Sequence, residues 1–264
     1  MKILVPVKRV AALEDDFRIR ADGRDIDEEF LTHDLNEWDT FALEQAVLIK
    51  EAASTEVQVV AVTIGPGECD EILRACLAKG ADRAVRVWDD AMAGSDPVAI
   101  ARVLAAVARK EAPHLVLAGA QSSDHGHATT GIALAAALDW PHVAVVTGLK
   151  YGAGDAQATA TRELEAGVLQ DVELAVPAVL TIQLGINKPR YASLRAIKQA
   201  AAKPIEVLGL GELAVASAQV GVAGSASRVR RMVVPDKGRA QMIEGTAQQK
   251  AERLAQIIRE YKAA

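Results

Sequence analysis

Aromatic residues are scarce in this chain, where Phe, Tyr and Trp together make up 3% of 264 residues. Single-stranded nucleic acids are usually bound by stacking bases on aromatic side chains, so this composition disfavours such a function. The formal net charge of -5 points the same way, because nucleic-acid binders concentrate basic residues on one face. We therefore expect no nucleic-acid partner.

Long apolar runs and charged leader-like segments are also missing. No apolar stretch approaches the length that spans a bilayer, and the opening MKILVPVKRV alternates like a strand of the fold itself. The two cysteines, Cys69 and Cys76, lie seven residues apart on a predicted helix, with no histidine at metal-ligand spacing. We expect two buried thiols, no membrane insertion and a cytoplasmic location.

The common nucleotide-chemistry motifs are absent. Where a G-x-G-x-x-G would follow the first strand the chain reads Pro6-Val7-Lys8-Arg9, and it contains no P-loop. Ser122, Ser123, Asp124 and His125 are adjacent, so they cannot face one another as a catalytic triad. His125 and His127 lack a further ligand at suitable spacing for a metal. We expect neither a catalytic site nor a metal site, and hence not an enzyme.

Apolar strand segments alternate with amphipathic helical segments over the first 140 residues. This pattern predicts a three-layer α/β/α, Rossmann-like fold with a mainly parallel sheet, of the adenine-nucleotide-hydrolase-like kind. The predicted strands are Lys2–Val7, Val57–Ile64, Ala84–Val87 and His114–Gly119, and the helices are Asn36–Ala53, Glu68–Lys79, Pro97–Glu111 and Thr129–Leu138. Asn36 is predicted to be the N-cap of the first of these helices, because an apolar-periodic run follows it.

Later segments follow a different pattern. Four strand segments without intervening helices predict an antiparallel extension of the same sheet, namely Val143–Leu149, Gln157–Leu164, Val168–Leu174 and Ala178–Leu184. An Asp22-Gly23 centre predicts a hairpin over Phe17–Glu28. Residues 209–227 have no clear period, and a basic stretch then leads to a final amphipathic helix, Gly245–Tyr261, which we interpret as a C-terminal arm.

The most informative segment is GAQSSDHGHATTGIALAAALDW, from Gly119 to Trp140. It joins an apolar strand to a helix through a loop of small and hydroxyl residues, and the free N–H groups of a helix start favour an anion such as a nucleotide phosphate. Alternatively, Thr129, Thr130 or Asp124 simply caps the helix. Two further strand ends, Pro6-Val7 and residues 64–67, meet this loop at the carboxyl edge of the predicted sheet, which favours nucleotide binding.

A second motif runs from Asn187 to Leu194. Tyr191, Leu194 and Ile197 fall outside any clear core pattern and are rimmed by Lys and Arg, as in protein-docking patches. A helix packed on the sheet through Leu194 and Ile197 explains the pattern equally well. Charge is also uneven, with twelve acidic and seven basic side chains in residues 1–50 but four acidic and nine basic ones in residues 228–262. That asymmetry suits either a docking partner or two solvated faces.

Taken together, the segments resemble the beta (small) subunit of electron transfer flavoproteins. The matching segments are MKILVPVKRV, Leu35-Asn36, residues 77–84, Gly119–Trp140, residues 177–181 and Asn187–Leu194. The resemblance implies a heterodimer in which the alpha subunit carries FAD, while this chain binds AMP and docks flavin-dependent dehydrogenases. It divides the chain into a nucleotide-binding domain (1–185), a partner-recognition loop (186–203) and a C-terminal segment and arm contacting the large subunit (204–264).

Site residues follow from the resemblance by position. The implied AMP contacts are Pro6, Asn36, Glu37, Trp38, Asp39, Ile64, Gly119, Ala120, Gln121, Ser122, Ser123, Asp124, His125, Gly126, His127, Ala128, Thr129 and Thr130. Tyr191, Leu194 and Ile197 would contact the docking partner. Leu13 stands where some relatives place an aromatic residue near the partner's flavin, Pro6 replaces the usual alanine, and Ala128 replaces an amide side chain found in some relatives.

Three alternatives stay open. A bifurcating branch of the family binds a second FAD in this subunit, but its loop resembles D-G-D-T-A-Q-V-G, whereas residues 123–131 here read SDHGHATTG; AMP is therefore favoured. A stand-alone adenine-nucleotide-binding protein of the universal-stress type is the second alternative. The third is a nucleotide hydrolase, which the absence of a base or metal cluster disfavours.

Overall fold

A mainly parallel sheet runs between two helical layers. The computed structural model describes residues 1–12, 18–27, 29, 31–234, 238 and 240–263. The strands are β1 (Lys2–Pro6), β2 (Arg9–Ala12), β3 (Thr32–Leu35), β4 (Gln58–Ile64), β5 (Arg83–Val87), β6 (Leu115–Gly119), β7 (His142–Lys150), β8 (Gln157–Glu163), β9 (Leu169–Ala175), β10 (Ala178–Ile182) and β11 (Glu206–Leu208). The helices are α1 (Glu37–Ala52), α2 (Asp70–Ala78), α3 (Pro97–Glu111), α4 (Thr130–Leu138), α5 (Leu194–Ala202), α6 (Gly221–Gly224) and α7 (Ala247–Ala263).

The nine strands of the main sheet lie in the order β11-β5-β4-β1-β6-β10-β7-β8-β9. All pairs from β11 to β7 are parallel, and β8 and β9 continue the sheet in antiparallel fashion. The chain proceeds outward from β1 through β4 and β5, then crosses over to β6 on the other side of β1. The predicted three-layer α/β fold with an antiparallel extension is confirmed.

The prediction for residues 178–184 was wrong in one respect. Strand β10 does not extend the antiparallel part but lies parallel to and between β6 and β7, and β7 itself is parallel to β10. All five residues of β10 are buried. A strand that is apolar on both faces is best accommodated in the middle of a covered parallel sheet, whereas the mostly exposed β9 suits an edge.

Each face of the sheet has its own apolar core. Ile3 and Val5 of β1 pack with helices α1 and α2, while Leu4 faces the opposite way and packs with α3 and α4. Successive residues of this strand therefore pack against opposite helical layers, because side chains alternate between the two faces of a pleated strand. Helix α3 begins as its sequence predicts, with Pro97 at its first position and the Asp96 side chain accepting from the Val98 and Ala99 N–H groups at 3.1 and 2.9 Å.

The sheet takes in residues beyond the predicted boundary at 185. Strand β11 pairs with β5, and Leu210, Leu213 and Val220 are buried in the core beneath α3. Residues after 227 are mostly exposed where described, including helix α7. Among the described helices, none is both long and apolar enough to cross a lipid bilayer.

Two small features lie beside the main sheet. Strands β2 and β3 pair in a separate antiparallel sheet that the sequence did not predict. Within residues 18–27 the predicted hairpin is confirmed, since Ile19 pairs with Ile26 and the Gly23 N–H donates to the Arg20 carbonyl at 2.8 Å. The predicted ends of that hairpin, Phe17 and Glu28, lie outside the described residues. Cys69 and Cys76 are buried and free, as expected.

Candidate functional site

Three parallel strands end side by side at the point where the strand order reverses. Pro6, Ile64 and Gly119 are the last residues of β1, β4 and β6, and β1 pairs with both of its neighbours in parallel register. Open α/β sheets bind ligands outside this carboxyl edge, at the switch in strand order. The sequence-based prediction that these ends converge is confirmed.

Asn36 lies at the start of helix α1, but its side chain does not cap the helix. Its Nδ2 donates to the Gln121 carbonyl at 2.8 Å, and its Oδ1 accepts from the Ser123 N–H at 3.2 Å. The predicted N-cap position is therefore right, while the expected capping contact is replaced by two contacts to the loop after β6. Because Asn36 is buried and both polar atoms of its side chain bind the loop and not the helix, this residue fixes the shape of the loop.

Asp39, one turn later, joins the ends of two strands. Its two carboxylate oxygens accept from the Lys8 N–H at 2.8 Å and from the Gly119 N–H at 3.1 Å. Burial raises the pKa of Asp39 to about 7, against the lowering effect of these hydrogen bonds. A Cβ atom at Gly119 would overlap the Asp39 carboxylate and lie 2.7 Å from the Trp38 Cβ, so this close approach requires glycine.

The Lys8 side chain reaches across the cleft to the loop. Its Nζ lies 2.7 Å from the Asp124 carboxylate and 3.3 Å from both the Ser122 Oγ and the His125 Nδ1. Partial burial would raise the pKa of Asp124, but hydrogen bonding from His125 and the Lys8 charge outweigh it and hold that pKa well below its usual range. Lys8 was not among the site residues predicted from the sequence. The feature of the sequence that could have indicated Lys8 is its position directly after the predicted first strand, at the same edge of the sheet as the loop.

The loop then turns sharply into helix α4. Gly126 and Ala128 adopt left-handed backbone with φ of 61° and 50°. Thr129 occupies the cap position, yet its hydroxyl donates to the His127 carbonyl at 2.7 Å and makes no cap hydrogen bond to the first turn. Of the capping alternatives, Thr129 does not fill the role, and Asp124 is engaged with Lys8. The Thr129 side chain thus leaves the first turn of α4 uncapped, and uncapped N–H groups at a helix start favour an anion.

Gly131 allows this helix start to approach the sheet closely, since a Cβ there would overlap the Thr181 methyl group on β10. The rings of His125 and His127 stack with centroids 5.6 Å apart. No cluster of three or more His, Cys, Asp or Glu side chains among the described residues is arranged to hold a metal ion.

The remaining predicted cleft residues line its margins. Trp38 donates from Nε1 to the Gln183 Oε1 at 2.8 Å, and the Ala120 N–H donates to the Ile182 carbonyl at 2.9 Å. Glu37 is exposed in the first turn of α1, and Thr130 is the first residue of α4. The structure thus brings all the predicted nucleotide contacts into the loops and element ends around one sheet edge.

The second motif lies on the surface. Tyr191 and Leu194 are 96% and 86% exposed, and Ile197 is 50% exposed. Helix α5 packs through Ala200, so the alternative of packing on the sheet through Leu194 and Ile197 is not what the fold adopts. Ser193 caps the helix, its Oγ accepting from the Ala196 N–H at 3.2 Å.

Arg190 differs from its prediction, and Leu13 cannot be compared with its prediction. Arg190, expected among the basic residues rimming the docking patch, turns inward to helix α1 and pairs with Glu44 and Glu51. Leu13, proposed to lie near a partner's flavin, falls outside the described residues.

The fold defines an α/β protein in which loops and helix starts meet at the point where the strand order reverses. A family model described as the electron transfer flavoprotein domain matches residues 25–213. The chain is 61% identical over 264 residues to the electron transfer flavoprotein subunit beta of Methylophilus methylotrophus, and the match covers 100% of both chains.

More distant relatives agree. The identity is 39% over 205 residues to subunit beta of Bradyrhizobium diazoefficiens, covering 78% of this chain and 80% of the relative. It is 37% over 217 residues to subunit beta of Homo sapiens, covering 81% and 84%. The chain belongs to the electron transfer flavoprotein family and is one of its beta subunits.

Proposed function

We propose that this chain is the AMP-holding beta subunit of a heterodimeric electron transfer flavoprotein whose alpha subunit carries FAD. The observation that carries the proposal is the loop of residues 119–130. It is fixed by Asn36, Asp39 and Lys8 and leads to a helix start that the Thr129 side chain leaves uncapped. The cytoplasm is the compartment we propose.

The donors around the cleft fit a nucleotide monophosphate. The first N–H groups of α4 and the Ser122 and Ser123 hydroxyls are small, neutral donors beside the Lys8 ammonium, and such a set suits a phosphate. The space beside Gly126 is open, so backbone can approach a ligand there without side-chain obstruction. When bound, AMP would supply negative charge at this end of the sheet and fill the space between the strand ends and α1.

Electron transfer itself requires no bond chemistry from this chain. FAD on the alpha subunit supplies the redox chemistry. The residues of this subunit hold the loop, the surface and the partner in position. Tyr191, Leu194 and Ile197 form the exposed apolar group that we propose as the contact for flavin-dependent dehydrogenases, because exposed aromatic and aliphatic anchors commonly carry the binding energy of protein interfaces.

We further propose that the C-terminal arm binds the alpha subunit. Helix α7 exposes Leu254, Ile257, Ile258 and Tyr261, of which Tyr261 is 86% exposed. These residues recur at helical spacing on one side of an otherwise polar helix. An amphipathic helix of this kind binds a partner through its apolar face.

Nucleotide analysis of the co-purified heterodimer tests the proposal. Denaturing the complex should release about one AMP and one FAD. Two FAD and no AMP would support the bifurcating alternative, and no adenine nucleotide besides FAD would refute the cleft assignment. Purifying the isolated chain separates the remaining alternative, since a stable monomer that needs no alpha subunit is expected only of a stand-alone nucleotide-binding protein.

A further inference from the structure

Helix α1 contacts both the nucleotide cleft and the docking segment, which we define as residues 186–203. Its N-terminal end carries Asn36 and Asp39, which fix the loop after β6 and the ends of β1 and β6. Its side, further along, contacts the chain that leads into the docking segment. One rigid element therefore borders the two surfaces on which the proposed function depends.

Hydrogen bonds with α1, which we call tethers, hold the residues just before the docking segment and the start of the segment itself. Trp38 Nε1 donates to Gln183 at 2.8 Å, directly after β10. Asn187 Nδ2 then donates to the Phe41 carbonyl at 3.0 Å and to the Gln45 Oε1 at 3.2 Å. The contacts advance along α1 as the chain advances from 183 to 187.

The strongest tether is Arg190. Its Nε and Nη2 donate to the two oxygens of Glu44 at 2.8 and 2.9 Å, and its Nη1 and Nη2 donate to the two oxygens of Glu51 at 2.6 and 2.9 Å. Its backbone N–H also donates to Glu44, at 3.1 Å. Paired carboxylate contacts of this planar geometry are specific to arginine.

The electrostatics of this group agree with the geometry. The hydrogen bonds that Arg190 donates to Glu51 and Glu44 raise the pKa of Arg190 above its ordinary value, and the same donation to Glu51 holds the pKa of Glu51 below its ordinary value. Glu44 has only 6% of its side chain exposed, so removing Arg190 would leave a buried charge without its partner. Tyr191 and Leu194 follow this anchored residue by one and four positions.

We propose that α1 couples the nucleotide cleft to the docking segment, so that AMP in the cleft strengthens dehydrogenase docking, with Arg190 as the positioning residue. The inference rests on the proposed function of both surfaces. AMP that fills the cleft restrains the first turn of α1 through Asn36 and Asp39, and the tethers pass that restraint to residues 183–190. Because coupling between sites is reciprocal, docking must also raise the affinity for AMP by the same factor, which we expect to appear as slower release of AMP.

Hydrogen exchange on the heterodimer measures the first half of this coupling. AMP is titrated into nucleotide-depleted heterodimer, and exchange is followed in peptides spanning residues 186–202. We expect exchange there to slow about fivefold at saturating AMP, the lower end of ordinary site–site coupling. Protection confined to the loop of residues 119–130 would overturn the proposal, whereas failure of AMP to bind at all would overturn the proposed function instead.

Release of AMP from the intact heterodimer measures the second half and needs no nucleotide-depleted protein. Adding the flavin dehydrogenase that reduces the complex should slow AMP release by a similar factor. An unchanged release rate in a complex that demonstrably docks would contradict the coupling.

Variants of Arg190 test whether the coupling between the nucleotide cleft and the docking segment depends on this residue. Arg190→Gln should abolish both effects and raise the dehydrogenase KM for electron transfer several-fold with kcat unchanged, while AMP content stays near one. Arg190→Lys should restore part of the effect. Arg86→Gln is the control, because Arg86 pairs with Asp70 at 2.7 Å and neither residue belongs to α1 or to the docking segment. Wild-type coupling in Arg190→Gln, or equal loss in Arg86→Gln, would overturn the role of this residue.

Discussion

The Lys8 ammonium lies 2.7 Å from the Asp124 carboxylate, and the two residues are 116 positions apart in the chain. This pair joins the end of the first strand to the loop that leads into α4. Lys8 also lies beside Ser122 and His125, so one side chain contacts three of the four loop residues from 122 to 125.

Lys8→Gln should therefore lower AMP retention strongly, because the loop loses its ion pair and the cleft loses a positive charge beside the proposed phosphate position. Nucleotide released per heterodimer after gel filtration measures this. Arg9→Gln is the matched control, since the adjacent Arg9 pairs instead with the exposed Glu71 at 2.7 Å. Equal AMP content in Lys8→Gln and wild type would refute the role of Lys8.

Asp39 should make stability depend on pH between about 4 and 7. Burial raises its pKa from 3.8 to about 7, so over this range the folded state binds a proton that the unfolded chain has released. The free energy of unfolding should then fall by about 1.4 kcal/mol for each pH unit as pH rises, and flatten above pH 7.

Urea unfolding of wild type and Asp39→Asn at several pH values isolates this contribution. The difference in unfolding free energy between the two proteins should decrease with rising pH up to about 7. A difference that is constant from pH 4 to 7 would mean that Asp39 titrates normally. If the variant does not fold, carboxyl NMR titration of the wild type reports the same pKa.

Leu194→Ala should weaken docking without affecting the fold, because the side chain is 86% exposed. Loss of a leucine that a partner buries costs roughly 1.5–3 kcal/mol, about one to two decades in affinity. Dehydrogenase-dependent flavin reduction measures the docking, and thermal melting measures the fold.

Leu180→Ala provides the contrast, since Leu180 is fully buried in β10. It should lose roughly 2–5 kcal/mol of stability. A Leu194→Ala protein that melts much earlier and transfers electrons normally when folded would contradict the docking assignment.

Truncation after Ser227 should abolish heterodimer formation and leave the core of this chain folded, because β11 and Val220 are retained. Co-elution with the alpha subunit on gel filtration is the measurement. The paired change of Leu254 and Ile258 to Asp should have the same effect, and Gln256→Asp on the same helix should not. A truncated chain that still co-elutes would refute the arm's role.

Local pattern was enough to predict most elements, and helix α3 occupies the predicted residues. The position of β10 was not predictable from pattern, because an apolar strand segment reads the same whichever neighbours it pairs with. Strands β2 and β3 were missed because each has four residues, too few to show a clear alternation, and among the described residues each pairs with the other alone.

The cleft was predictable where it depends on sheet edges and glycines, and less so where it depends on long side chains. Lys8 reaches a loop 116 positions away, and Arg190 reaches Glu44 across 146 positions. Neither partner can be inferred from local spacing. Asn36 occupied the predicted cap position, but only tertiary structure shows that its side chain serves the loop instead.

Strand β10 also sets the order in which this chain can fold. The segment β7–β8–β9, residues 142–175, is joined to the parallel strands solely through its pairing with β10, as far as the described residues go. During synthesis that segment emerges from the ribosome before β10 does. Its β7 edge therefore stays unpaired until residues 178–182 are made and pair with β6 and β7. Strand β10, which is made after every other strand of this sheet except β11, thus joins the two parts of the sheet. A late, non-local pairing of this kind slows folding and prolongs the exposure of strand edges.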